Sequence, residues 1–152
     1  MAGMGLWHNL DMSFTTDDER GSSRPDYPGA RIGGAPLRNQ IKILKDFIYS
    51  FDFVEMRRND SVIRRGVPDH VRAVALVETG KQYAIYFRNK GKDKTSLDIA
   101  VDLPADVYTA KWMNPQNGDY KMTENFHHAG GGKTFSSPSY YSDIVLEIRS
   151  EY

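Results

Sequence analysis

Apolar and polar residues alternate in several short segments of this chain, and that period of two constrains the fold more than any other feature. In residues 82–89, for example, Tyr83, Ile85 and Phe87 fall at every second position. Side chains of a β-strand point alternately to its two faces, so this pattern predicts strands with one buried face. The same alternation, or a nearly continuous apolar run, occurs in four further segments: 71–78, 95–104, 107–114 and 143–150. We therefore predict a mostly β fold.

Shorter strands complete the predicted architecture. They are predicted near residues 53–57, 61–64, 119–123, 125–128 and 133–136. Pro104 is expected to end the strand 95–104, because proline cannot donate a hydrogen bond to a neighbouring strand. The total is about eight or nine short strands at a spacing of roughly ten residues, which is typical of an antiparallel β-sandwich.

One amphipathic helix is predicted ahead of the strands, over residues 36–51. Pro36 suits the first turn of a helix, and apolar residues then recur at spacings of four and three: Leu37, Ile41, Leu44, Ile48 and Phe51. Such a face must pack against another part of the protein. Residues 1–35 follow neither period, which predicts a loop that is unusually long for a compact domain. We therefore interpret residues 1–51 as the end of a larger neighbouring domain and residues 52–152 as a separate β domain.

The balance of charges excludes some classes of partner. Twenty basic and twenty acidic residues cancel, whereas a nucleic-acid or membrane-surface binder usually carries a basic excess. The absence of cysteine excludes disulfides, thiolate nucleophiles and cysteine-based zinc sites. No apolar run approaches the ~20 residues of a membrane span, and the first residues lack the basic and apolar regions of a signal peptide. The cellular compartment stays undetermined.

A hairpin is predicted in residues 107–122, with its turn at 114–118. The Asn-Pro and Asn-Gly pairs in that turn suit the tight backbone of a hairpin connection. On the first strand Trp112 shares a face with Tyr108, opposite Lys111, so we predict that Trp112 anchors the core. The alternative, an exposed platform for a ligand, is left open at this point.

Other polar motifs favour no cofactor and no metal. His127 and His128 point to opposite faces of a strand and cannot reach one ion together. The glycine-rich segment 130–134 lacks the following helix of a phosphate-binding loop, so we predict a flexible hairpin loop there. The arginine pairs at 57–58 and 64–65 are interpreted as solvated strand ends, with a patch for an anionic polymer as the alternative.

Two neighbouring tyrosines are the ligand-binding candidates. Tyr140 and Tyr141 follow a proline just before the last predicted strand, and exposed tyrosines on loops can stack on sugar rings or on the prolines of collagen. No catalytic residue is predicted. The acidic residues that could act as paired carboxylates, such as Asp11 and Glu19, lie in the loop 1–35, where nothing rigid holds them on opposite sides of a bond.

Two segments near the start of the chain resemble the end of a bacterial glycoside hydrolase barrel of the apiosidase-like type: GLWHNLDMSFT and LRNQIKILKDFIYSFDFVEMRRNDSVI. Four later segments resemble the β-sandwich module named as the collagen-binding domain of a collagenase: ALVETGKQYAIYF, VDLPADVYTAKWMNPQNG, FHHAGG and SPSYYSDIVLEI. The resemblance spans residues 5–152.

The resemblance implies a non-catalytic, C-terminal accessory domain of an exported bacterial glycoside hydrolase, whether periplasmic, cell-surface or secreted. Its expected partners are the catalytic (β/α)8 barrel of the parent chain, on which it would pack, and a polysaccharide or collagen. No nucleic acid, membrane or cofactor is expected. Two alternatives remain at this stage: a free-standing carbohydrate- or collagen-binding module, and a fragment with residual hydrolase residues such as Asp11 or Glu19.

Overall fold

The computed structural model describes residues 34–151, with side chains from Arg38 onward. This part of the chain is mostly β, as predicted. It holds one helix, α1 (Gly34–Tyr49), one 3₁₀ turn (Asp60–Val62) and seven strands: β1 (Arg57–Arg58), β2 (Ile63–Arg65), β3 (Val71–Glu78), β4 (Gln82–Asn89), β5 (Asp98–Met113), β6 (Tyr120–Ser136) and β7 (Asp143–Ser150). The chain divides into two compact units, with the boundary between Ser50 and Phe51.

Helix α1 begins two residues before its predicted start and ends two residues before its predicted end. At the C-terminal end of the helix, the hydroxyl of Ser50 donates a hydrogen bond to the carbonyl of Phe47 at 2.7 Å. Side chains commonly bond the last carbonyls of a helix in this way. Phe51, which we expected on the helical stripe, therefore lies beyond the helix and belongs to the β unit. In the described residues, no helix is long and apolar enough to cross a membrane.

All seven strands belong to one antiparallel sheet, in the order β1-β3-β4-β7-β5. Strand β5 pairs with β6 along nearly its whole length, with β7 through residues 108–113, and with β2 near residues 100–101. The sheet curls into a half-barrel. The predicted sandwich of eight or nine short strands is not confirmed, because the described strands are fewer and two of them are long.

Three strands have the bounds that the sequence pattern predicted: β3, β4 and β7. The prediction that Pro104 ends a strand is wrong, since β5 continues through it. The ladder skips one pair at Pro104, between Leu103–Gly131 and Ala105–Ala129, and then resumes. Gly130 and Gly131 have φ of 98° and 95°, which lets β6 bend with its partner. The loop expected at 130–134 is therefore part of a continuous strand.

The core lies on one face of the curled sheet. Its fully buried members include Tyr83, Ile85 and Phe87 of β4, at the alternate positions that the sequence indicated. Trp112 is 4% exposed, and its ring lies 5.9 Å from that of Phe87, centroid to centroid. The prediction that Trp112 is a core anchor is confirmed.

The opposite face of the sheet is covered in its middle, which the sequence pattern did not indicate. Val145 and Glu147 of β7 alternate with the core residues of that strand and so lie on its other face, yet both are buried. The carboxylate of Glu147 accepts hydrogen bonds from Arg149 at 2.6 Å and from the Tyr120 hydroxyl at 2.8 Å. Arg149 in turn lies over the ring of Phe51, 4.1 Å from its centroid. These contacts satisfy a carboxylate that would be costly to bury alone.

Candidate functional site

A cleft of about 160 Å³ lies at the end of the sheet where the β5–β6 turn meets the loop that precedes β7. Its lining residues come from segments far apart in the sequence: Lys94, Asn114, Gln116, Tyr140, Tyr141 and Asp143. Both tyrosines that the sequence singled out are among them. We take this cleft as the candidate functional site.

The β5–β6 turn forms one wall of the cleft, and it has the hairpin geometry that the sequence predicted. The backbone N–H of Gly118 donates to the carbonyl of Asn114 at 2.8 Å, and Gly118 has a φ of 79° that favours glycine. The side-chain oxygen of Asn114 accepts from the backbone N–H of Gln116 at 2.9 Å. This small network fixes Gln116, whose amide nitrogen donates to Ser142 at 2.6 Å.

The loop that precedes β7 forms the other wall and is fixed by backbone contacts. Thr95 and Tyr140 exchange two backbone hydrogen bonds of 2.9 Å. The side chain of the buried Asn89 donates to the carbonyl of Tyr141 at 2.7 Å. The two tyrosines are thus held in defined positions even though they lie outside the regular strands.

The expectation that both tyrosines are exposed is wrong for Tyr140. Tyr140 is 7% exposed and belongs to the hydrophobic core, whereas Tyr141 is 65% exposed. Neighbouring residues of an extended backbone point in opposite directions, so one of the two must face the interior. Tyr141 alone offers a ring face at the surface, and its role in ligand contact remains a prediction.

Tyr140 carries an unusual hydroxyl. Among the described residues it is the one buried side-chain polar atom without a hydrogen-bond partner. Burial, together with the nearby negative charge of Asp143, raises the pKa of Tyr140 to about 12. A buried hydroxyl without a partner costs about 1–3 kcal/mol relative to a satisfied one.

Asp143 is the carboxylate of the cleft and is well satisfied. It accepts hydrogen bonds from the hydroxyl of Tyr86 at 3.1 Å, from the amide of Gln116 at 3.4 Å, and from the hydroxyl of Ser142. Burial, reinforced by the charge of Asp143 and this hydrogen bond, raises the pKa of Tyr86 to about 12. The carboxylate therefore serves partly as a structural element of the cleft.

Two lysines give the cleft a positive rim. The ammonium of Lys94 lies 5.2 Å from the centroid of the Tyr141 ring, within the range of a cation–π contact. Lys121, which also lines the cleft, lies 3.7 Å from a carboxylate oxygen of Asp119. The aromatic ring, the ammonium groups and the hydrogen-bonding side chains together can bind a ligand that has both a flat apolar face and polar substituents.

The raised pKa values of Tyr86 and Tyr140 lead to a prediction about alkaline stability. Both folded-state values, about 12, exceed the usual 10.0. The fold therefore disfavours the ionised hydroxyls, so ionisation leaves stability unchanged below pH 10 and lowers it as the pH rises from 10 toward 12. We expect unfolding in that window, measured by circular dichroism and by the ultraviolet absorbance of tyrosinate. Tyr86→Phe should make the loss of stability with pH shallower. Full ionisation of all tyrosines near pH 10 in a folded chain would contradict this.

The other motifs of the sequence do not join the cleft. No group of three or more potential metal ligands occurs among the described residues. His127 and His128 are consecutive residues of β6. In each of the arginine pairs 57–58 and 64–65, one member forms a surface ion pair: Arg58 with Asp60 at 2.7 Å, and Arg64 with Asp102 at 2.6 Å. These pairs agree with the interpretation as solvated strand ends. Asp11 and Glu19 lie outside the described residues.

Sequence reasoning missed most of the polar residues of the cleft. Lys94 and Gln116 lie in connecting segments without any periodic pattern, and Asp143 was assigned only to a strand. The turn 114–118 and the loop before β7 come together because β5 and β7 pair with each other, which no sequence pattern indicated. A second cleft of about 180 Å³ lies against Trp112 and Phe135.

No protein-family model matches the chain, and no curated protein matches it. Solved structures do match it in fold. A protein described as a glycoside hydrolase has a TM-score of 0.58 and 24% identity, covering 86% of this chain and 28% of its own. A family 5 glycoside hydrolase from Bacteroides vulgatus has a TM-score of 0.56 and 22% identity, covering 76% of this chain and 24% of its own. The chain is thus similar in fold to about a quarter of each of these proteins.

Proposed function

We propose that this chain is a non-catalytic accessory part of a glycoside hydrolase. Residues 52–152 would form the accessory domain, and residues 1–51 would be the end of the catalytic barrel. The observation that carries the proposal is the likeness in fold to about a quarter of the length of two glycoside hydrolases. A segment of this size within a longer hydrolase is typical of a separate domain beside the catalytic one.

Exposed apolar side chains around the boundary of the two units support a packing role. Four of the large apolar side chains that the described residues expose fall between positions 44 and 54: Leu44, Tyr49, Phe53 and Val54. Leu44 belongs to the predicted apolar stripe of the helix, yet it is 50% exposed, and Val54 is 62% exposed. Exposed apolar residues concentrated in one short segment favour contact with another domain.

The proposal can be tested on the polypeptide encoded by the reading frame that continues into this chain. We expect that frame to encode a barrel with glycosidase activity, and the 152-residue chain alone to release no reducing sugar. Val54→Asp in the full polypeptide should remove about 2 kcal/mol of interdomain packing and lower the inactivation temperature by a few degrees.

Met122→Asp is the matched control, because Met122 is similarly exposed, at 49%, but lies on β6 away from the boundary segment. It should leave the inactivation temperature unchanged. Equal effects of the two substitutions would argue against packing through Val54. Hydrolysis by the 152-residue chain itself would overturn the non-catalytic assignment.

A further inference from the structure

We propose that the cleft beside Tyr141 binds one sugar residue that carries a carboxylate, as a uronate does within an acidic polysaccharide. The inference rests on the proposed function, to which it adds a class of ligand. In this arrangement the ring of Tyr141 is the stacking surface, Lys94 pairs with the carboxylate of the sugar, and the hydroxyl of Tyr140 bonds to a polar group of the ligand.

The stacking surface is exposed, and the backbone that carries it is fixed in place. Tyr141 is 65% exposed, and the hydrogen bond from the Asn89 side chain holds its backbone at 2.7 Å. The adjacent Tyr140 is anchored through its backbone pairing with Thr95. A platform whose backbone is already ordered loses less entropy when a ligand stacks on it. The face of a pyranose ring, lined by C–H groups, matches a tyrosine ring in size and polarity.

The charges around the cleft favour an anionic ligand. Lys94 has no ion-pair partner among the described residues, and the contact of Lys121 with Asp119 is long, at 3.7 Å. Asp143 is the opposing charge, but it already accepts hydrogen bonds from Tyr86, Gln116 and Ser142. A carboxylate at the Lys94 side of the cleft would gain a charge-assisted contact, while sugar hydroxyls would face Asp143.

The hydroxyl of Tyr140 supplies an independent argument for a ligand. Tyr140 is one of the residues that line the cleft, and its hydroxyl is buried without a partner among the described residues. Nearly all buried polar groups in proteins find a partner, so an exception needs an explanation. A bound polar group that reaches this hydroxyl would remove the cost of leaving it unsatisfied.

The size of the cleft limits what it can hold. At about 160 Å³ it is smaller than the roughly 300–1,000 Å³ of pockets that enclose a small molecule. One ring of a longer chain can rest in it while the neighbouring sugars extend along the surface. The site therefore suits a residue within a polymer better than a free metabolite.

The test is a calorimetric titration of the 152-residue chain with trigalacturonate and, separately, with its methyl ester. The free acid should bind at least about tenfold more tightly than the ester, as expected for one charge-assisted contact. Tyr141→Ala should abolish binding of both. Lys94→Gln should remove the preference for the acid, and Tyr140→Phe should weaken binding severalfold while the chain stays folded. Lys92→Gln, an exposed lysine of the same loop outside the cleft, should change nothing.

Equal binding of acid and ester, or no binding of either at millimolar concentration, would overturn the inference. Unchanged binding by Tyr140→Phe, or equal losses in Lys94→Gln and Lys92→Gln, would also overturn it. Thermal unfolding of each variant separates loss of the site from loss of the fold. If Val54→Asp lowers the inactivation temperature but the chain binds neither sugar, this inference is wrong and the proposed function stands. If the chain binds the acid but Val54→Asp has no effect, the proposed function is wrong and this inference stands.

Discussion

Replacing Trp112 with alanine is expected to lower the free energy of unfolding of the β unit by about 3–5 kcal/mol, the usual cost of truncating a large core side chain. Trp112 is 4% exposed and packs near Phe87. It also lies on the half of β5 that pairs with both β6 and β7. The cavity would therefore open where three strands meet. Urea denaturation followed by far-ultraviolet circular dichroism measures the change.

Tyr141→Ala is the control for this truncation, because it removes an aromatic ring that is 65% exposed. It should change the free energy of unfolding by less than about 0.5 kcal/mol. In a Trp7→Phe background, the fluorescence of Trp112 should be blue-shifted and protected from iodide. A loss in Trp112→Ala no greater than in the control would contradict its role in the core.

Gly66→Ala is expected to be the most damaging glycine substitution among the described residues, with a loss of about 3 kcal/mol or more. Gly66 follows β2 with a φ of 93°, and an added Cβ would lie 1.9 Å from the backbone oxygen of Asp98. Backbone atoms of a paired strand cannot move aside as a flexible side chain can. The substitution should therefore break the pairing between β2 and the start of β5.

Two further glycines allow the clash to be separated from backbone strain. Gly131 has a φ of 95° but no heavy atom within 4 Å of an added Cβ, so Gly131→Ala should cost about 1–2 kcal/mol from strain alone. Gly132 has the same open surroundings without a positive φ, so Gly132→Ala should change stability by less than about 1 kcal/mol. Thermal unfolding of the three variants should rank them in that order. Equal losses in Gly66→Ala and Gly131→Ala would show that the clash is relieved.

Alternation in the sequence was sufficient to place the strands that have a clear turn at each end. β3, β4 and β7 match their predicted bounds, and Trp112 lies on the predicted face. The same rule, applied to Tyr140 and Tyr141, would have separated an inward ring from an outward one. The prediction at Pro104 was wrong, because the missing hydrogen-bond donor of proline does not end the strand there. Two glycines on β6 instead allow both strands to bend together.

The sequence pattern could not predict features that depend on contacts between segments far apart in the chain. Val145 and Glu147 are buried because other segments of the protein cover their face of the sheet, and alternation does not reveal such a cover. The polar residues of the cleft come from connections without periodicity, so their proximity follows only from the pairing of β5 with β7. The single curled sheet also differs from the predicted sandwich because β5 and β6 run through positions that looked like turns.

The position of β7 has a consequence for synthesis of the chain on the ribosome. β7 is the last of the described strands in chain order, yet it lies in the middle of the sheet, between β4 and β5. The hairpins β3–β4 and β5–β6 contain only local pairings and can form as they emerge. Among the described strands, only β7 pairs with both halves, and it cannot do so until residues 143–150 leave the exit tunnel. Their apolar faces therefore stay uncovered until β7 emerges, and a nascent chain stalled before β7 would present them to chaperones and proteases.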